Sequence, residues 1–192
     1  SVTAYTTYRS PLMSISTVTN SSFAIDGHSN YVALLAQGAH SVSLIMIFCH
    51  SEGTDCTGET LSFSSAVTDF EVSAPPNSNY YSDGKSYAVM AVSTGTQPTQ
   101  VTFCLDDYCQ LTSVANIGSS PKAASVAYGS DNLPVIALVD NSNILVTHCF
   151  DYVCSSFMDL KRMSTSTSTY TDVAAVATSS YIVIGAMDTK NY

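Results

Sequence analysis

The chain has 192 residues, 45% of them hydrophobic and 11% charged, with a net charge of −9 and six lysines and arginines in total. It is long enough for one domain with a real core and too apolar to stay disordered, while nucleic acid and anionic lipid both demand a basic footprint that it lacks. Its longest apolar run, Val42 to Phe48, is of strand length and far short of the roughly 20 residues of a membrane span, so membrane insertion is not expected.

In chain order, Val2 to Tyr8 alternates and reads as an outer strand. The opening at Ser1 carries neither an initiator Met nor a signal peptide, as expected of a processed chain or a segment of a longer one. Asn20-Ser21-Ser22 is a sequon, which makes Asn20 a candidate N-glycan acceptor. A unit of turn, apolar run and cysteine pair then recurs. Ile25-Asp26-Gly27 precedes Tyr31 to Ala36 and the pair Cys49, Cys56. Ser82-Asp83-Gly84 precedes Tyr87 to Val92 and the pair Cys104, Cys109. Ser130-Asp131-Asn132 precedes Pro134 to Val139 and the pair Cys149, Cys154. Thr178-Ser179-Ser180 precedes Tyr181 to Ala186, with no cysteine after it. The period is 131 − 83 = 48 and again 179 − 131 = 48, whereas the first interval is 83 − 26 = 57. Its excess is assigned to the wider C-x6-C turn and to the stretch from Glu71 to Asn79 with its Pro75-Pro76.

The third unit shows the internal plan. Ser125 to Tyr128, Val135 to Val139 and Ile144 to Cys149 read as strands, with a fourth starting at Cys154 to Met158. Nothing in the unit has helical periodicity. Four strands per repeat is one blade of a β-propeller. The expected fold is therefore all-β: a β-propeller of about four four-stranded blades, with the runs at Val32, Val89, Val135 and Val183 as inner strands buried on both faces. The units are 17–70, 71–120, 121–168 and a partial unit 169–192. Residues 1–16, another molecule, or a missing part of the same chain would complete the last.

Each cysteine pair reads as a disulfide across the neck of a tight hairpin, pinning the register of the outer strands. A zinc site and free thiols are the alternatives, although structural zinc prefers two clusters of ligands and each pair here is alone in its unit. Paired cysteines with a Ser/Thr-rich, weakly charged composition point to an oxidising compartment, extracellular or at a cell surface.

The pattern carried by Asp131, Asn132, Pro134, Val135, Ile136, Asp140, Asn143, Leu145, Val146, Cys149, Asp151, Cys154, Ser155 and Ser156 resembles tandem propeller-type repeats of secreted and cell-surface proteins of bacteria and protists. The second unit keeps Asp83, Gly84, Cys104, Asp106 and Cys109, and the first keeps Asp26, Gly27, Cys49 and Cys56. The resemblance implies adhesive, surface or appendage roles and no shared reaction.

Catalytic chemistry does not stand out. No nucleophile elbow, zinc-protease, P-loop or dinucleotide fingerprint occurs, so no enzyme activity, cofactor or metal is expected. His28 and His40 fall in turns; His50 and His148 flank cysteines. The hairpin residues Asp106, Asp107, Tyr108, Asp151 and Tyr152 are candidate ligand-loop positions, although Asp also favours turns for its own sake. Tyr5, Tyr8, Tyr80, Tyr81, Tyr128, Tyr152 and Tyr170 lie near strand ends, where a ring serves either to stack on a sugar or to fill space. The function expected is a non-enzymatic extracellular structural or adhesive module, as a repeating subunit of a surface fibre, with a carbohydrate-binding lectin-like propeller as the alternative. Its partners would be copies of itself, other surface proteins, or glycans.

Overall fold

The computed structural model describes residues 18–25, 31–36, 41–49, 56–75, 88–106, 109–163, 168–178 and 180–188. Every regular element among them is a strand. Sheet I is the antiparallel meander β1 (Asn20–Ile25), β2 (Tyr31–Ala36), β3 (Ser43–Cys49) and β4 (Cys56–Ser62). Sheet II repeats it with β5 (Asp69–Ser73), β6 (Val89–Ser93), β7 (Thr99–Cys104) and β8 (Thr112–Ile117). Sheet III follows with β9 (Ala123–Tyr128), β10 (Pro134–Asp140), β11 (Asn143–His148) and the short β12 (Lys161–Arg162). Sheet IV has two strands, β13 (Tyr170–Ala177) and β14 (Ile182–Asp188).

Local chemistry fixes these boundaries. Between β10 and β11, Asn141 and Ser142 adopt φ of 48° and 62° and join Asp140 to Asn143 in a two-residue hairpin, the left-handed turn that suits strand twist. Between β8 and β9, Gly118 has a φ of +79°, and a Cβ there would meet the Pro121 ring at 2.6 Å; only glycine fits.

Two expectations need correction. The stretch from Glu71 to Asn79 is not an insertion at its start, since Glu71 lies within β5, and the added length falls after Ser73, where β5 ends, and before Val89, where β6 begins. In the third unit Cys154 to Met158 does not form a strand: apart from the single bridge Cys149↔Phe157, pairing resumes only at Lys161–Arg162. Asp151 holds Val153 and Ser155 in a turn instead.

The sheets pack in chain order, and the first strands β1, β5, β9 and β13 bring each sheet onto the next. Because successive side chains point to opposite faces, each middle sheet feeds two cores. From β6, Met90 and Val92 enter the core shared with sheet I, which holds Leu34, Leu44 and Phe48. Val89 and Ala91 enter the core shared with sheet III, alongside Phe103, Ile117 and Leu138. From β10, Ile136 and Leu138 face sheet II, while Ala137 and Val139 meet Val173 and Ala175 of sheet IV. Such strands read as continuous apolar runs because neither face meets water. Burying one such Leu or Ile side chain is worth about 1.5–3 kcal/mol. The strand expected to match them in the fourth unit does not: β14 is mostly exposed.

Candidate functional site

Three disulfides form as paired by sequence proximity: Cys49–Cys56, Cys104–Cys109 and Cys149–Cys154. Only the first lies across a hairpin neck, with Cys49 and Cys56 directly opposed on β3 and β4. In the other two the first cysteine is at or just past the end of a strand. The second lies inside the connection at a φ of 54° and folds back on it. These two cystines are also core residues. Cys104 and Cys109 are buried between sheets I and II, and Cys149 and Cys154 between sheets II and III.

The aspartates of these corners serve the backbone. Asp106 accepts from Gln110 N–H at 2.8 Å and Leu111 N–H at 3.0 Å. Asp151 accepts from Val153 N–H at 3.1 Å, Ser155 N–H at 2.9 Å and the Ser155 hydroxyl. What burial Asp151 has works to raise its carboxyl, but the bonds from Ser155, Val153 and Ser156 outweigh this and hold it below the ordinary value of 3.8. Tyr152 is exposed. Asp107 and Tyr108 lie outside the described residues, as do Tyr5, Tyr8, Tyr80, Tyr81, His28, His40 and His50. Tyr128 sits with its ring in the core between sheets II and III, filling space rather than offering a platform to solvent. His148 Nε2 lies 3.1 Å from Asp131 Oδ2 at a half-exposed position, a close contact without hydrogen-bond alignment. Asn20 is exposed at the start of β1, its Oδ1 accepting from Ser21 N–H at 2.9 Å.

A second polar system escaped the sequence reading: side chains of each first strand accept from the backbone of the next. Ser22 Oγ takes Val72 N–H at 2.9 Å. Asp69 Oδ2 takes Ala124 N–H at 3.0 Å and Glu71 Oε2 takes Val126 N–H at 3.3 Å. Ser125 Oγ takes Ala175 N–H at 2.9 Å and bonds Glu71 in turn. These bonds satisfy amides that a strand at the edge of its sheet leaves unpaired. Burial pushes the Asp69 carboxyl up, the Ala124 bond opposes this, and the charge of Asp172 adds to the rise. Burial likewise raises Glu71, against its bonds to Ser125 and Val126, with the charges of Asp69 and Asp172 adding. The signal available in the sequence was the alternation Asp69-Phe70-Glu71-Val72, an acidic face on a short strand.

The third feature is a groove of about 650 Å³ between the outer strands of sheets I and II. Met46, Leu61, Met90 and Val92 supply apolar wall, and Glu59, Gln100, Thr102, Gln110 and Thr112 supply polar groups. It continues past Phe63 towards Pro98 and Asn116. Among the described residues no cluster of His, Cys, Asp and Glu is suited to a metal ion, and no helix is long and apolar enough to cross a membrane. No protein-family model matches the sequence, and a search of the curated proteins finds no match.

Proposed function

We propose that this chain is a non-enzymatic structural or adhesive module of an extracellular surface, built as a β-propeller with the sheets as blades and serving as the repeating subunit of a fibre or filament. One observation carries this reading: the acidic side chains drawn into the fold are spent on backbone amides. Asp69, Glu71, Asp106 and Asp151 all accept main-chain N–H groups, which makes them parts of a rigid body rather than free acids and bases. The cystine corners suit an oxidising compartment. Light scattering and electron microscopy of the purified protein test the reading. Ordered fibres or attachment to cell surfaces are expected; a compact monomer at high concentration that coats no cell would overturn it.

The groove between sheets I and II favours a second reading, a carbohydrate-binding module. Its amides and hydroxyls at Gln100, Gln110, Thr102 and Thr112 beside an apolar wall suit a neutral polyhydroxylated ligand. A glycan array is the test. Binding that Gln110→Ala and Thr112→Ala both abolish supports it, and an array without signal removes it.

A further inference from the structure

Sheets I, II and III each end in an outer strand, β4, β8 and β12, and the three edges differ. An exposed edge offers unpaired N–H and C=O groups to any other strand, and natural sheets defend it by shortness, charge, proline or a bulge. β12 is two residues long, and both are cations, Lys161 and Arg162. β8 has none of these defences: Thr112-Ser113-Val114-Ala115-Asn116-Ile117 is uncharged and free of proline, and it pairs with β7 in unbroken register. β4 is of similar length but carries Glu59 at its centre.

The ladder fixes which groups of β8 face outwards. Leu105 N–H bonds the Leu111 carbonyl at 2.8 Å, while Cys104 N–H bonds the Ala88 carbonyl on the other side at 3.1 Å. By alternation Ser113, Ala115 and Ile117 turn their main-chain groups to β7, and Thr112, Val114 and Asn116 turn theirs away from it. The N–H and C=O of these residues point to an edge on which no strand lies among the described residues. Their side chains are exposed on one face of the strand. Val114 is 44% exposed and the neighbouring Leu111 59%.

Charge decides the occupant. The chain has a net charge of −9, so two copies repel one another unless they meet where no charge lies. From Cys109 to Ser120 the sequence has no charged residue. An antiparallel copy of β8 matches it about a two-fold axis at Val114: Val114 opposes Val114, and Thr112 opposes Asn116 in both directions. Outward groups then meet outward groups along the whole strand as hydrogen-bonded pairs, and the opposed side chains are a β-branched pair and two hydroxyl–amide pairs. The same full-length pairing of β4 would set Glu59 against Glu59, with Cα atoms about 4.5–5.5 Å apart. Like charges directly opposed destabilise a sheet, so the edge of sheet I is unsuited to the contact that the edge of sheet II allows.

We propose that the outer edge of β8 is an interface between two copies of this chain, which join their sheets II into one antiparallel sheet about a two-fold axis at Val114. Directly opposed residues put their side chains on the same face. The two copies of the groove between sheets I and II, lined on this strand by Thr112 and Val114, therefore open on one face of the joined sheet. This goes beyond the fibre reading. A two-fold contact closes at two copies, so the dimer becomes the unit from which a fibre is built, and the fibre needs a further contact elsewhere on the surface.

Sedimentation equilibrium of the unmodified protein, with hydrogen exchange resolved to single amides, is the test. A dimer is expected, and the Thr112, Val114 and Asn116 amides should exchange at least about tenfold slower at concentrations that populate it than in the dilute monomer. Val114→Pro removes an N–H that the fold itself leaves unused, and Val114→Lys sets two cations against each other across the axis. Each is expected to weaken association at least about tenfold in a protein that keeps its strand signal in circular dichroism. A monomer up to about 1 mM would overturn the proposal, and so would a dimer that both variants leave intact or one whose slowed amides lie on β4. Slowing at β8 that appears only when a different protein is added would overturn it as well. Fibres whose repeat is a single copy would sink the dimer and leave the fibre reading standing, whereas a dimer that forms no fibre and coats no cell would do the reverse.

Discussion

β10 and β14 occupy the same place in successive sheets, and their sequences align without a gap, Pro134 with Ile182 through Asp140 with Asp188. One is buried along its whole length, while the other leaves Val183 57% and Met187 49% exposed. The apolar character of the two runs is similar, so composition does not separate them. Neighbours do: β10 has sheet II on one face, sheet IV on the other and strands on both edges, whereas β14 has β13 on one edge and sheet III on one face. Small differences in sequence follow that difference in surroundings, with Ala186 where β10 has Leu138 and Gly185 where it has Ala137. Burial is a property of the stack, which a strand inherits from its position.

The comparison can be broken most directly at its buried end. Leu138→Ala empties a fully buried site in the core between sheets II and III and is expected to cost about 2–5 kcal/mol in denaturant unfolding. A cost below about 1 kcal/mol would mean that this seam is no tighter than the exterior of sheet IV. Next come the cystines. Replacing Cys149 and Cys154 by alanine removes a short loop closure together with two core side chains, and about 3 kcal/mol is expected. Replacing the half-buried Cys49 and Cys56 should cost nearer to about 2 kcal/mol. Loop length alone predicts the reverse order, because the sequence separation is 5 in the first case and 7 in the second. The ranking of the two midpoints thus decides whether burial or chain entropy governs.

A smaller effect is expected from the first strands. Asp69 and Glu71 are raised above their ordinary values of 3.8 and 4.5. Between the ordinary and the raised value the folded protein holds more protons than the unfolded chain, so stability falls as pH rises through that window and levels off above it. Glu71→Gln keeps an acceptor for Val126 N–H and removes the charge. Its unfolding midpoint should vary less with pH over that window than that of the parent protein, and an unchanged slope would refute the assignment. The smallest effect belongs to the exposed end of the comparison. Met187→Ala is expected to change stability by about 0.5 kcal/mol or less, and a loss matching Leu138→Ala would show that the face of β14 is covered in solution.

Much of this fold is legible one unit at a time. The runs at Val89 and Val135, the turn at Asn141-Ser142 and the short-range cysteine pairs all depend on neighbours within a few residues. Strand formation, hairpin closure and local disulfides are decided over that distance. The fourth strand of sheet III was misplaced because Cys154 at a φ of 54° and the Asp151 cap hold its sequence in a turn, which apolar patterning does not reveal. Glu71 was taken for part of an insertion because an acid facing the next sheet's backbone looks, in sequence, like an acid facing water.

By itself the sequence determined an all-β chain of repeated antiparallel units, each with a cystine except the last. Those features follow from alternation, turn chemistry and sulfurs a few residues apart. Only the tertiary structure decided which faces are dry, that Asp69, Glu71 and Ser125 bind neighbouring strands, that a polar groove opens between sheets I and II, and that β14 is far less buried than β10. The physical reason is range. Hydrogen bonding within a hairpin joins residues a few positions apart, while the bonds between first strands join residues 50 to 55 positions apart, and no local pattern encodes the meeting of two strands across that distance.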